Sequence, residues 1–109
     1  MFKQRLRKNN NPEACAQLRI LKYCKACGYV AGKIKVKGSL SHGRFIYDPY
    51  TFRGMPDLII FTPKIHFCEV KALTGKQSLE QKVFQGLCEA AGIPYILAYD
   101  IKDLQKAGL

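Results

Sequence analysis

The chain has 109 residues, enough for one domain with a modest core of its own. An apolar fraction of 48% and a charged fraction of 24% are those of an ordinary globular protein, and no apolar run approaches the roughly 20 residues of a membrane span. Eighteen Lys and Arg against eight Asp and Glu leave a charge of +10, a surplus that favours an anionic polymer as partner, nucleic acid first. A merely solubilising surface is the bland alternative.

Residues 1–10 read as a basic N-terminal arm. Met1-Phe2-Lys3-Gln4-Arg5-Leu6-Arg7-Lys8 lacks the apolar segment of a secretion signal, so a cytoplasmic protein is expected. Residues 11–109 read as a single domain. Asn11-Pro12-Glu13 starts a helix, with Asn11 as N-cap and Pro12 at the first helical position. It is expected to run to about Cys27 and stop at Gly28, burying Ala14, Cys15, Leu18 and Leu21. The five cysteines, at 15, 24, 27, 68 and 88, follow no disulfide-scaffold pattern. Cys24-Lys25-Ala26-Cys27 is a lone CxxC, and neither His42 nor His66 completes a zinc spacing, so reduced thiols are expected.

Lys33-Ile34-Lys35-Val36-Lys37 alternates strictly and predicts a strand with one basic face. That face suits either tracking a phosphate backbone or discouraging strand addition at an edge. Residues 38–56 are irregular, with a short strand over Arg44-Phe45-Ile46-Tyr47. Tyr47, Tyr50 and Phe52 interleave with Arg44 and Arg53, which suits stacking on unpaired bases or packing of a loop onto the sheet.

Leu58-Ile59-Ile60-Phe61 and Ile65-His66-Phe67-Cys68-Glu69-Val70 read as two short buried strands about a turn at Pro63-Lys64. Ser78 to Ala91 is a second helix, with Leu79, Val83 and Leu87 at four-residue steps and Gly92 as its stop. A further strand follows over Tyr95-Ile96-Leu97-Ala98-Tyr99, then a short helix from Ile101 to Ala107. The expected fold is α/β, a mixed central sheet flanked by helices with core order α-β-β-β-α-β.

The chemistry gathers on Gly54-Met55-Pro56-Asp57 and Glu69-Val70-Lys71. Residues two apart on a strand share a face, so Glu69 and Lys71 point the same way, and Asp57 at the head of the neighbouring strand can meet them. Buried strands exclude three such charges unless they are paired or bind a metal. Mg²⁺ takes oxygen ligands and is usually held by one or two carboxylates plus substrate phosphate. Asp57 and Glu69 supply carboxylates and the Val70 carbonyl a third oxygen. Such a metal neutralises a scissile phosphate and lowers the pKa of a bound water, while Lys71 orients that water and stabilises the developing charge. The alternative is a non-catalytic basic nucleic-acid-binding protein in which the same charges form a strand-end cluster.

On Gly54-Met55-Pro56-Asp57, Cys68-Glu69-Val70-Lys71-Ala72 and Gly75-Lys76-Gln77-Ser78-Leu79-Glu80-Gln81, the chain resembles the PD-(D/E)xK nuclease superfamily, with its restriction-endonuclease-like core. More narrowly it resembles the viral-type replication-repair nuclease domain (VRR-NUC) in its short, stand-alone form, as found in phages. The resemblance spans residues 12–104. It implies a metal-dependent endonuclease acting on branched or structured DNA, four-way junctions or flaps, inside the cell. It further implies Asp57 and Glu69 as ligands of Mg²⁺ or Mn²⁺, with Lys71 catalytic, and carries over the family's helical Gln as Gln81 and its first-helix Glu as Glu13. Ser78-Leu79-Glu80-Gln81 is also a capping box, and Glu13 suits the helix dipole without catalytic duty. Lys33, Lys35, Lys37, Arg44, Arg53 and Lys76 are the expected DNA contacts. A homodimer is expected, because a four-way junction needs two incisions and the chain has one site.

Overall fold

The Asn11 side chain accepts hydrogen bonds from the backbone N–H groups of Glu13 and Ala14, at 3.0 and 3.1 Å, and Pro12 follows where no N–H is needed. Helix α1 therefore starts at its predicted place and spans Pro12–Ala26, with Gly28 at φ +83° turning the chain out of it. This computed structural model describes residues 11–34, 39–41, 44–46 and 49–109. The remaining elements are β1 (Val30–Lys33), β2 (Ser39–Ser41), β3 (Arg44–Ile46), β4 (Leu58–Phe61), β5 (Ile65–Val70), α2 (Leu79–Ala90), β6 (Tyr95–Ala98) and α3 (Ile101–Lys106).

Four strands form one mixed sheet in the order β1-β4-β5-β6. The pairs β1/β4 and β4/β5 are antiparallel, while β5 and β6 run parallel, which requires the long connection that α2 supplies. The strands β2 and β3 make a separate antiparallel pair, with Leu40 opposite Phe45. Only the second of these is expected from the sequence.

Strand β1 pairs with β4 through Lys33. Past Lys33, which pairs with Leu58, the Ile34 N–H donates to the Asp57 carbonyl at 3.0 Å. Lys35, Lys37, Tyr47, the arm at 1–10 and the Arg44 side chain lie outside the described residues.

Alternation sends Leu58 and Ile60, Cys68 and Val70, and Ile96 and Ala98 to one face, where they form the core with Ala16, Ile20, Cys24 and Leu104. Ile20, Leu58, Ile60 and Leu104 are fully buried, each worth about 1.5–3 kcal/mol relative to exposure. Burial pushes the Cys68 thiol up to about 12, so it stays an inert core residue. The buried stripe of α1 is Ala16, Ile20 and Cys24, a correction to the expected one. Leu18 is exposed, because it lies about 200° round the helix from Ala16.

Helix α2 covers the opposite face. Its Phe84 ring meets Phe52 and Phe67 edge-on, both at 5.4 Å between centroids. The buried residues are Gln81, Phe84 and Cys88. The apolar stripe that marks this helix in the sequence, Leu79, Val83 and Leu87, is turned to solvent, each residue more than half exposed. Among the described residues no helix is long and apolar enough to cross a membrane.

Candidate active site

Strand register sets the two carboxylates opposite each other. Leu58 pairs with Cys68, so continuing the antiparallel pair by one residue puts Asp57 across from Glu69. The backbone pairing stops there and a side chain takes over: the Val70 N–H donates to Asp57 Oδ2 at 2.8 Å. Pro56 and Asp57 are buried. Phe67 and Lys71 donate their N–H groups to Pro94 and Ala98 on the β6 side, at 3.0 and 2.9 Å. Strand alternation therefore directs the Val70 carbonyl toward the β4 side, the edge that carries Asp57.

Glu69 is 1% exposed, and a carboxylate so buried needs polar partners. Gln81 Nε2 donates to Glu69 Oε2 at 2.7 Å, and Lys71 Nζ lies 3.5 Å from the same oxygen. The capping box is present as well: Gln81 Oε1 accepts from the Ser78 N–H at 2.8 Å, and the Gln81 N–H donates to Ser78 Oγ at 3.1 Å. The cap and the bond to Glu69 coexist in one side chain. They also fix its orientation, since a flipped amide would set oxygen against carboxylate and nitrogen against N–H.

Gly54 joins the loop before Asp57 to α2. At φ +75°, a Cβ here would overlap the Glu80 carbonyl and lie 2.7 Å from the Gln81 nitrogen. Only glycine lets the backbone approach the first turn of α2 this closely. Arg53 adds an ion pair to Glu80 at 3.5 Å. The contact was missed by sequence reasoning; its one signal is a glycine two residues ahead of Pro56.

The other expected residues distribute unevenly. Glu13 sits in the first turn of α1, where it faces the helix dipole, and its carboxylate makes no hydrogen bond or ion pair among the described residues. Gln77 bonds to Gln85 and the Tyr95 hydroxyl, at 3.0 and 3.3 Å, so of the three glutamines only Gln81 reaches Glu69. Burial pushes the Tyr95 phenol up to about 12, which leaves it a hydrogen-bonding group and no base. Lys33 and Lys76 are exposed, whereas Arg53 is engaged with Glu80.

Among the described residues no group of three His, Cys, Asp or Glu side chains is arranged to hold a metal. A metal here would rest on two carboxylates, the Val70 carbonyl and water. That all-oxygen, water-rich set fits Mg²⁺ or Mn²⁺ and suits a soft metal poorly.

A carboxylate-bearing sheet end, with helices on both faces of a mixed four-stranded sheet, defines the class: an α/β fold of restriction-endonuclease-like architecture. A scan against protein-family models and a search of curated proteins find no match. Among solved structures, the chain is similar to one described as a "VRR_NUC domain", with a TM-score of 0.63 and 22% identity over 87% of this chain and 91% of that one. The fold is that of the VRR-NUC nuclease domain.

Proposed function

We propose that this chain is a divalent-metal-dependent endonuclease that hydrolyses phosphodiester bonds in branched or structured DNA. The observation that carries the reading is the buried Glu69 carboxylate, held by Gln81 and Lys71 and opposed by Asp57 at the sheet end. A basic binding protein gains nothing from burying acid where phosphates would approach; the nuclease fold and the +10 charge point the same way. Mg²⁺ or Mn²⁺, held by Asp57, Glu69 and the Val70 carbonyl, would supply charge neutralisation and a water of lowered pKa. The Val70 N–H keeps Asp57 turned to the β5 edge. Gln81 aims Glu69, since its amide nitrogen donates to Oε2 while its oxygen is taken by the Ser78 N–H. Lys71, beside Glu69, orients the attacking water and stabilises charge developing on the phosphate.

The test incubates supercoiled plasmid and a synthetic four-way junction with Mg²⁺, Mn²⁺ or EDTA. Cleavage is expected with either metal and none with EDTA. Asp57→Asn and Glu69→Gln should abolish it, and Lys71→Ala should lower the rate about 10²–10³-fold. Tight DNA binding without any cut would return the alternative, a non-catalytic nucleic-acid-binding protein. An intracellular site of action goes with this reading, because the substrate is there.

Paired cuts at a junction call for two sites, so we also propose a homodimer. Two strongly basic chains repel, and their contact has to be apolar. The exposed stripe Leu79, Val83 and Leu87 meets that need. Sedimentation equilibrium should find a dimer that Val83→Lys dissociates; a monomer that still resolves junctions by paired cuts refutes the pairing alone.

A further inference from the structure

Phe52 is 60% exposed although its ring is held in place. Its T-shaped contact with Phe84, at 5.4 Å and 79°, holds the ring without enclosing it, since more than half of the residue remains exposed. Phe84 touches Phe67 in the same way, so three rings form a layer across α2 and β5. Phe67 and Glu69 are two residues apart on one strand face, a separation of about 7 Å. Gln81 and Phe84 are likewise neighbours on α2. The aromatic layer therefore lies directly beside the layer that carries Glu69 and Gln81. The segment bearing Phe52 is pinned to α2 on its other side by Gly54 and by the Arg53–Glu80 ion pair. Tyr50, two residues earlier, is 93% exposed.

We infer that Phe52, with Tyr50, is a stacking platform for an unpaired nucleobase beside the cleavage site. The inference rests on the nuclease reading and deepens it, for it says how a branch or single-stranded end is told from plain duplex. A base in a duplex has both faces stacked on its neighbours and cannot use the ring; a base at a junction or flap can. Each stacked base adds binding without sequence preference, because every base has a π face. The ordering cost is small, since Phe84 and Gly54 already hold the ring and its loop. A protein partner is the weaker occupant. This patch is aromatic and sits beside the proposed phosphate site, whereas the surface suited to a second copy is the aliphatic stripe of α2.

The experiment measures binding of a short oligothymidylate and of a blunt duplex of equal length, in EDTA so that nothing is cut. Phe52→Leu keeps apolar contact with Phe84 and removes the π face. It should weaken oligothymidylate binding about 5- to 150-fold and leave the duplex within about twofold. A 2-aminopurine placed at the branch of a junction should be quenched by wild-type protein and less so by the variant. Tyr50→Leu, at a more exposed position, carries the same test should Phe52→Leu not fold. Equal loss for both DNAs, or loss for neither, overturns the platform. So does a variant that changes only the sedimentation of the protein, which would give the ring to a contact between copies. Absence of cleavage by the wild type would sink the nuclease reading instead, and this measurement does not depend on cleavage.

Discussion

One amide of Gln81 closes the start of α2 with its oxygen and holds Glu69 with its nitrogen, through bonds of 2.8 Å to the Ser78 N–H and 2.7 Å to Glu69 Oε2. Helix geometry and carboxylate geometry are thus set by the same side chain. Substitutions separate the two. Gln81→Glu keeps an acceptor for the cap and replaces the donor by a like charge against Glu69. It should keep the cap yet cost stability, because two buried carboxylates then face each other, and lower Mn²⁺ affinity and cleavage rate about 10–100-fold. Gln81→Ala loses both bonds and should also destabilise by about 1 kcal/mol. Calorimetric Mn²⁺ titration and urea unfolding read the two effects. Undiminished affinity and rate in Gln81→Glu would mean the nitrogen does nothing for Glu69.

Gly54→Ala should cost more than strain alone. A non-glycine residue at positive φ costs about 1–2 kcal/mol. Gly92 has a similar φ, +73°, with nothing within 4 Å of an added Cβ, so Gly92→Ala measures that strain by itself. At Gly54 the Cβ also drives into the backbone of Glu80 and Gln81, neither of which can give without unwinding the cap. The urea midpoint of Gly54→Ala should fall well below that of Gly92→Ala. Equal midpoints would mean the loop does not bear on α2.

His66 gives the fold a pH dependence. It is buried, with Nε2 2.9 Å from Thr62 Oγ1, and desolvation, aided by the nearby Lys64 charge, lowers its pKa below the ordinary 6.5. The unfolded chain therefore takes up this proton before the folded one does. Stability is complete above the unfolded pKa, and falls as pH drops from there toward the lower folded value. His66→Gln should flatten that decline as pH falls below about 6.5. Urea midpoints of both proteins across this range decide it; parallel curves would assign the decline to other groups.

Salt dependence should separate the basic residues. On duplex DNA each phosphate contact contributes about −0.9 to the slope of log K against log salt. Lys33→Gln and Lys76→Gln, both at exposed positions, should each flatten the slope by about that amount. Arg53→Gln should do less, because its guanidinium is engaged by Glu80 at 3.5 Å. The reverse ranking would put Arg53 on the phosphates and leave the two lysines solvated.

The features legible in the sequence are those that depend on near neighbours along the chain. Asn11-Pro12 and Gly28 bound α1, Ser78-x-x-Gln81 caps α2, and period two puts Glu69 and Lys71 on one side of β5. A tight antiparallel β4/β5 pair then brings Asp57 opposite Glu69 with little choice of register. What only the tertiary structure decided is how each helix is rotated and what meets across it. Two apolar stripes compete on α1, and the sheet takes Ala16, Ile20 and Cys24, two of them small enough for close approach. On α2 the regular Leu79-Val83-Leu87 stripe loses to a face led by a polar residue, Gln81. Helical periodicity ranks faces by hydrophobicity alone. It cannot count a hydrogen bond to a carboxylate 12 residues away in sequence, nor a glycine that lets a loop touch the helix backbone. Those long-range contacts select the rotation of α2, and with it the side chain that meets Glu69.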